Sequence, residues 1–337
     1  MSSSRIDTPM QMLLEAAVLA PSGDNTQPWR FDVDETDRQI VVNVDPVRDT
    51  SPMNAGQRMS RIAIGAAVEN IVRTVAFNDL KVATEPSATS HSVSIRLHEV
   101  AKTPLRADEA VANRCTNRRA CHGKTVSAET LQRLQQQSTD LSEVETHWIT
   151  DAEHVRRMAA VVRQADAILF GTAELRHAFL ENVRFDRPDD ETVDEGLSLA
   201  SLEIKGRDRA PFRLLPKLPN WLVRLMRVGS TIGRQNEQLI LGGAGLCLGV
   251  AADDEPLTDI AVGRAMQRAW LALTEQNLAV QPMMSLLVLQ NALTHGSDSV
   301  RSALGTDRVQ NLLEQLSTVC PQIDDGRPAF LLRFGYA

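Results

Sequence analysis

The sequence predicts an α+β protein made of two related halves, and three observations lead there. Its 337 residues are about twice the length of an ordinary domain. Runs with helical spacing alternate with short β-type runs along the chain. A block of strand, acidic-proline loop, long helix and short strand occurs early and returns after residue 245.

The elements follow in order. Thr8-Pro9 reads as a helix cap followed by proline in the first turn, and Met10, Leu13, Leu14, Ala17 and Val18 then recur at helical spacing until Pro21. A loop covers 21–29. Residues 30–44, centred on Ile40-Val41-Val42, read as a hairpin, 56–78 as a helix, and 81–84 and 92–99 as strands. A new unit begins near Arg106, with helices over 107–113 and 127–137, a strand over 145–150 and a helical stretch over 152–183. Residues 186–233, broken by Pro188, Pro211, Pro216 and Pro219, read as irregular. The basic and apolar residues interleaved from Arg207 to Arg234 fit a membrane-surface helix or a cover packed on the same protein, and the cover is the preferred reading. The glycine-rich stretch 242–249 precedes a strand where a dinucleotide loop would follow one, so it reads as a joint between helix and strand. A strand over 246–251, a helix over 258–276 and strands over 278–282 and 328–334 complete the pattern.

Aligning 65–82 with 263–280 pairs Gly65 with Gly263, Ala67 with Ala265, Leu80 with Leu278 and Val82 with Val280. Val68, Val72 and Val75 meet Met266, Trp270 and Leu273, so the apolar positions persist. Asp45-Pro46 and Glu255-Pro256 occupy equivalent loops, and the pattern predicts an internal duplication.

Composition narrows the function. A hydrophobic fraction of 43% suffices for a core, while aromatics at 4% leave its filling to aliphatic side chains and alanine. A net charge of −7, with dispersed basic residues, argues against nucleic acid as the main partner. No run approaches a membrane span, residues 1–8 lack the apolar run of a leader, and four scattered cysteines make no disulfide framework. The expectation is a cytoplasmic protein with neither nucleic acid nor membrane as partner. Cys115, Cys121 and His122 match no zinc spacing, and no metal site is expected.

Two stretches carry chemistry. In Pro21-Ser22-Gly23-Asp24-Asn25-Thr26-Gln27-Pro28-Trp29, prolines at both ends restrict the backbone and Gly23 relaxes it. Ser22, Asp24, Asn25 and Gln27 are thereby presented in a small space, suited to a pyrimidine edge with one N–H between two carbonyls. An ordinary helix-ending loop anchored by Trp29 fits the same composition. In Arg114-Cys115-Thr116-Asn117-Arg118, an extended backbone points Arg114, Thr116 and Arg118 to one side. Two guanidinium forks flanking a hydroxyl suit a phosphate, although a solvated basic turn has the same composition.

Together the two stretches resemble the signature loop and the phosphate-gripping arginine motif of the nitroreductase superfamily. In ordinary members the arginine motif comes first. Here it follows the loop, an order similar to the tandem, Acg-like branch, in which one chain folds as a pseudo-dimer. The resemblance implies two nitroreductase-like α/β repeats, 1–105 and 106–337, each a mainly antiparallel sheet packed with helices, with a cover over 186–233. It implies one FMN between the repeats. Arg114, Thr116 and Arg118 would hold its phosphate and ribityl chain, and Pro21, Ser22 and Asn25 would line its ring, with Asp24 and Gln27 of the same loop as further cofactor-binding candidates. Pro282, Met283, Met284 and Ser285 would lie near flavin N5, and Arg333 would be a third phosphate ligand. The chain departs from the family pattern where Ala120-Cys121 replaces an aromatic, in a first half without an arginine motif, and in a second without a Pro-Ser-x-x-Asn loop. The implied activity is NAD(P)H-dependent reduction of nitroaromatic or quinone-type acceptors, with the flavin and no catalytic side chain carrying the chemistry. The implied alternative is storage of FMN beneath the cover, and a single chain suffices for either.

Overall fold

The computed structural model describes residues 9–87, 89, 91–99, 105–138, 141–186, 194–323 and 326–337. The Thr8 cap, the opening Met-Ser-Ser-Ser-Arg and part of the irregular stretch lie outside them. The architecture is α+β, with two four-stranded antiparallel sheets surrounded by helices.

The first sheet contains β1 (Trp29–Asp34), β2 (Gln39–Val44), β3 (Val82–Pro86) and β4 (Ser92–Leu97) in the order β1-β2-β4-β3. On β2, Ile40, Val42 and Val44 are buried while Gln39, Val41 and Asn43 are half-buried, the alternation of a strand with one face on a core. Helices α1 (Pro9–Val18) and α2 (Arg58–Phe77) share that core through Leu13, Ala17, Ile64, Val68 and Ile71.

Helices α3 (Glu109–Asn113) and α4 (Ala128–Gln137) lead into the second sheet, capped by Asp108 and Ser127 accepting from first-turn amides. This sheet contains β5 (Val144–Ile149), β6 (Gly245–Ala251), β7 (Ala279–Pro282) and β8 (Arg327–Gly335) in the order β5-β6-β8-β7. Strands β6 and β8 are buried at every residue, and both are apolar throughout except for Arg327 and Arg333 on β8. In both sheets the fourth strand lies between the second and third, and a long helix follows the second strand.

Between β5 and β6 come α5 (Ala152–Gly171), α6 (Ala173–Glu181), α7 (Arg209–Leu214), α8 (Asn220–Leu225) and α9 (Val228–Leu241). Over the described residues 194–233 the irregular reading is corrected, because Pro211 lies in the first turn of α7 while Pro216 and Pro219 separate α7 from α8. The helical stretch 152–183 divides at Thr172, which ends α5 and caps α6. Helix α10 (Pro256–Glu275) follows β6. Helices α11 (Ser285–His295), α12 (Asp298–Leu304) and α13 (Thr306–Val319), unanticipated from sequence, fill the space between β7 and β8. Val288, Leu289, Leu304, Val309, Leu312 and Leu316 join them to α5 and the second sheet in one core.

Helices α2 and α10 join the halves at backbone contact. A Cβ on Gly65 would lie 2.2 Å from the Ile260 carbonyl oxygen, and one on Gly263 would lie 1.9 Å from that of Ile62. Glu69 receives Arg264 at 3.0 Å and Arg268 at 2.8 Å across the same contact. Fully buried Asp259 receives Arg61 at 3.0 and 2.7 Å and Arg327 at 2.6 Å, with Arg58 3.3 Å away. A carboxylate in this position balances guanidinium groups that could not otherwise be buried.

Candidate functional site

The loop after α1 is held by its own atoms. The Gln27 amide donates to Ser22 Oγ at 3.0 Å, and the Asn25 amide to the Ser22 carbonyl at 3.2 Å. Asp24, Asn25 and Gln27 all take left-handed backbone angles, with φ of 46°, 57° and 48°. Asp and Asn tolerate this region better than most residues, and such strain concentrates at functional sites.

Pro21, Ser22, Gly23 and Asp24 line a cavity of about 680 Å³. Thr116 and Arg118 line it from the second half, as do Gln281 and Pro282 at the end of β7 and Met283, Met284 and Ser285 just after it. Met53, Met59, Ile62 and Trp270 add apolar surface. The volume falls within the usual range for small-molecule sites.

The arginine motif runs along the edge of β7. Thr116 bridges Val280 in parallel, and the Asn117 amide donates to the Val280 carbonyl at 2.8 Å. Thr116 and Arg118 face the cavity. Arg114 instead stacks on Trp270, its guanidinium carbon 4.6 Å from the ring centroid, and donates to the Leu19 carbonyl at 3.0 Å. Its Nε and Nη1 are buried without a hydrogen-bond partner, and burial pushes its pKa down to about 10. The expectation that all three side chains point one way therefore holds for two. Thr116 and Arg118 also border a second cavity of about 1050 Å³, together with Asn117, Arg119 and Glu203.

Arg333 stands behind the motif. It donates to Gln281 Oε1 at 2.8 Å and to the Asn117 and Arg119 carbonyls at 2.9 and 2.8 Å. All three of its nitrogens have protein partners, with Nη1 directed at the Leu239 carbonyl at 3.3 Å. Arg333, expected as a third phosphate ligand, supports the loop that carries Arg118 and does not line the cavity. The Met283 amide likewise donates to the Leu331 carbonyl at 2.7 Å, so that backbone donor is taken. Amides in the first turn of α11, beginning at Ser285, have no partner within the helix.

Asn25 and Gln27 do not line the cavity. Asn25 Nδ2 donates to the Gly196 carbonyl at 3.2 Å, the Gly196 amide donates to the Asn25 carbonyl at 3.2 Å, and Gln27 bonds the Asp194 carbonyl. Arg118 Nη1 donates to the Ser201 carbonyl at 2.9 Å, and Arg119 pairs with Glu203 at 2.7 Å. Both stretches thus hold the segment after residue 194. That segment closes the cavity with Leu197, Leu202, Ile204, Phe212, Leu215 and Met226.

Burial raises three cavity carboxyls, Asp24, Asp49 and Asp166, above the usual carboxylate range. Burial raises the pKa of Asp24 to about 6, against a 3.3 Å hydrogen bond from Asn182 and the nearby Arg118 charge. Burial likewise raises Asp166, on α5, to about 6, opposed by a 2.8 Å bond from Asn236 on α9. Helix α9 approaches closely because Cβ atoms at Gly229 and Gly233 would fall 2.7 and 2.4 Å from α5 carbonyl oxygens. Sequence reading missed Asp166 and Asn236. The available signal was an acid at a core-facing position, flanked at helical spacing by Val162 and Leu169.

No family model matches the chain. A curated relative is the uncharacterized protein MT1398 of Mycobacterium tuberculosis (strain CDC 1551 / Oshkosh), 27% identical over 288 residues. The match covers 81% of this chain, which spans only 38% of that relative's length. Among solved structures, the chain is similar to the FMN-dependent nitroreductase NfnB of Mycobacterium smegmatis in complex with NADPH. Identity there is 18%, coverage 68% of this chain and 88% of that one, and the TM-score 0.33. The FMN- and NADPH-dependent nitroreductase NfnB of a Sphigopyxis strain, HMH, gives 19% identity, coverage of 69% and 89%, and a TM-score of 0.34.

Proposed function

We propose that the chain binds one FMN in the 680 Å³ cavity and acts as a nitroreductase-like, NAD(P)H-dependent oxidoreductase on nitroaromatic or quinone-type acceptors. The observation that carries this reading is the convergence of Pro21 to Asp24, Thr116, Arg118 and Pro282 to Ser285 around one space. The side chains present fit the cofactor. Arg118 and Thr116 offer a cation and a hydroxyl to a phosphate, and Arg114 has two buried N–H groups lacking partners. Met59, Ile62, Met283, Met284 and Trp270 suit a flat aromatic ring.

The chemistry FMN supplies when bound is two-electron transfer from NAD(P)H to the acceptor. Arg118 and Thr116 orient the anionic end, supported by Arg333 through the Asn117 and Arg119 carbonyls. The apolar walls exclude water, and Asp24 keeps a proton on its carboxyl at pH values below about 6.

The same reading takes 1–105 and 106–337 as two repeats forming a pseudo-dimer in a single cytoplasmic chain, with the cover inserted in the second. Support comes from the shared strand order of the sheets. The reciprocal contacts of Gly65 with Ile260 and Gly263 with Ile62 support it too, since equivalent residues touch across a twofold-like interface.

A second reading, FMN storage without turnover, draws on the bonds of Asn25, Gln27, Arg118 and Arg119 to the cover. The visible spectrum of the purified protein, followed by anaerobic NADPH or NADH, separates the readings. Rapid bleaching of yellow protein is expected for the enzyme, and persistent yellow for storage. Colourless protein that ignores added FMN would remove both.

A further inference from the structure

The cover has an outer face that closing a cavity does not explain. Its inner residues Phe212, Leu215 and Val223 pack on Leu180, and Leu215 and Val223 are 8% and 2% exposed. On the outside, Leu214 is 54% exposed, Trp221 67%, Leu225 72% and Met226 52%. Arg213, Lys217, Arg224 and Arg227 are exposed among them. From Arg209 to Arg234 the sequence has six basic residues and no acidic one, in a protein of net charge −7. The sequence reading of a cover accounts for the inner face alone.

We infer that this outer face, α7 and α8 with their flanking residues, docks on the surface of an anionic lipid bilayer. An interface between headgroups and acyl chains takes these components together. A tryptophan ring settles at headgroup level, leucine and methionine enter below it, and arginine and lysine meet lipid phosphates. Charge complementarity selects this occupant. A symmetric contact with a second copy would set the basic patch against itself. A nucleic acid would satisfy the cations but leave Leu214 and Leu225 without apolar partners. Phe212, Leu215 and Met226 also line the cavity, so the docked face and the cavity share the same short helices.

The experiment uses the full chain with two kinds of vesicle, pure phosphatidylcholine and an equimolar mixture with phosphatidylglycerol, in about 0.1 M salt. The expected result is sedimentation with the anionic vesicles alone. Trp221 is the exposed one of four tryptophans, Trp29 and Trp270 being buried and Trp148 half-buried, so brominated lipid should quench it selectively. Arg224→Gln with Arg227→Gln is expected to lower partitioning about 30-fold. Trp221→Ser should remove the bromolipid quenching. These side chains are exposed, so unchanged circular dichroism and melting confirm that each variant folds. Absence of binding to anionic vesicles, equal binding to pure phosphatidylcholine, or binding indifferent to the variants overturns the proposal. So does a lipid-free dimer abolished by Trp221→Ser, or displacement from vesicles by an oligonucleotide but not by free lipid headgroup. None of these readouts requires bound flavin.

Discussion

Replacing Gly263 by alanine tests the joint between the halves. The new Cβ would lie 1.9 Å from the Ile62 carbonyl oxygen and 2.8 Å from its carbon, where ordinary contact begins at 3.4 Å. Both atoms belong to backbone, so no rotamer change relieves the clash. Helices α2 and α10 must separate by roughly 1.5 Å, beyond the range where dispersion contacts hold. Overpacking costs about 1–3 kcal/mol, more when backbone must move, and the better helix propensity of alanine returns about 1 kcal/mol. Separation also stretches the Gln267–Asn70 bond, 2.6 Å long, and both arginine contacts to Glu69. The net expectation is a loss of about 2 kcal/mol or more. Gly171, with nothing within 4 Å of its would-be Cβ, is the control, and its alanine variant is expected to be neutral or slightly stabilising. Urea unfolding followed by circular dichroism reads both. The double variant with Gly65→Ala should cost less than the sum of the singles, because either one already opens the same crossing. Equal stability of the Gly263 and Gly171 variants, or full additivity of the pair, would refute the reasoning.

Further expectations concern charge. Asp259→Ala leaves Arg58, Arg61 and Arg327 buried without their shared carboxylate and is expected to cost about 3–5 kcal/mol, read by the same unfolding assay. Asp166 has its folded-state pKa raised from 3.8 to about 6, so its contribution to stability is fullest below 3.8 and is lost as pH rises through 6. Asp166→Asn should therefore gain more stability at pH 8 than at pH 4, and a pH-independent difference between the two proteins would contradict the assignment. Arg118→Ala is expected to weaken FMN binding about 10- to 100-fold in fluorescence titration, the worth of a charge-assisted hydrogen bond, and wild-type affinity would exclude Arg118 from the phosphate site.

The first half was legible because its signals are local. Alternation over Ile40, Val42 and Val44 and the helical spacing of Met10, Leu13 and Ala17 each report a single buried face. Helix α11 was illegible for the opposite reason, since Ser285–His295 buries residues on nearly every side and so lacks the polar stripe that marks a helix. That Thr116 and Arg118 share one side was legible from their alternate spacing. The partners of Asn25 and Gln27 were hidden because the carbonyls of Asp194 and Gly196 lie more than 160 positions away. Backbone acceptors carry no side-chain signature, and the same holds for the loop carbonyls that occupy Arg333.

The wall of the cavity draws on positions 21 to 24, 116 and 118, and 281 to 285, and position 333 braces it from behind. Contacts between residues so far apart pay their chain-closure entropy before they return any stabilisation. The hairpin of β1 and β2 can form from neighbouring residues, but the cavity must wait for both sheets and the α2–α10 crossing. Binding competence should therefore be the last property acquired during refolding, later than helix content and core burial.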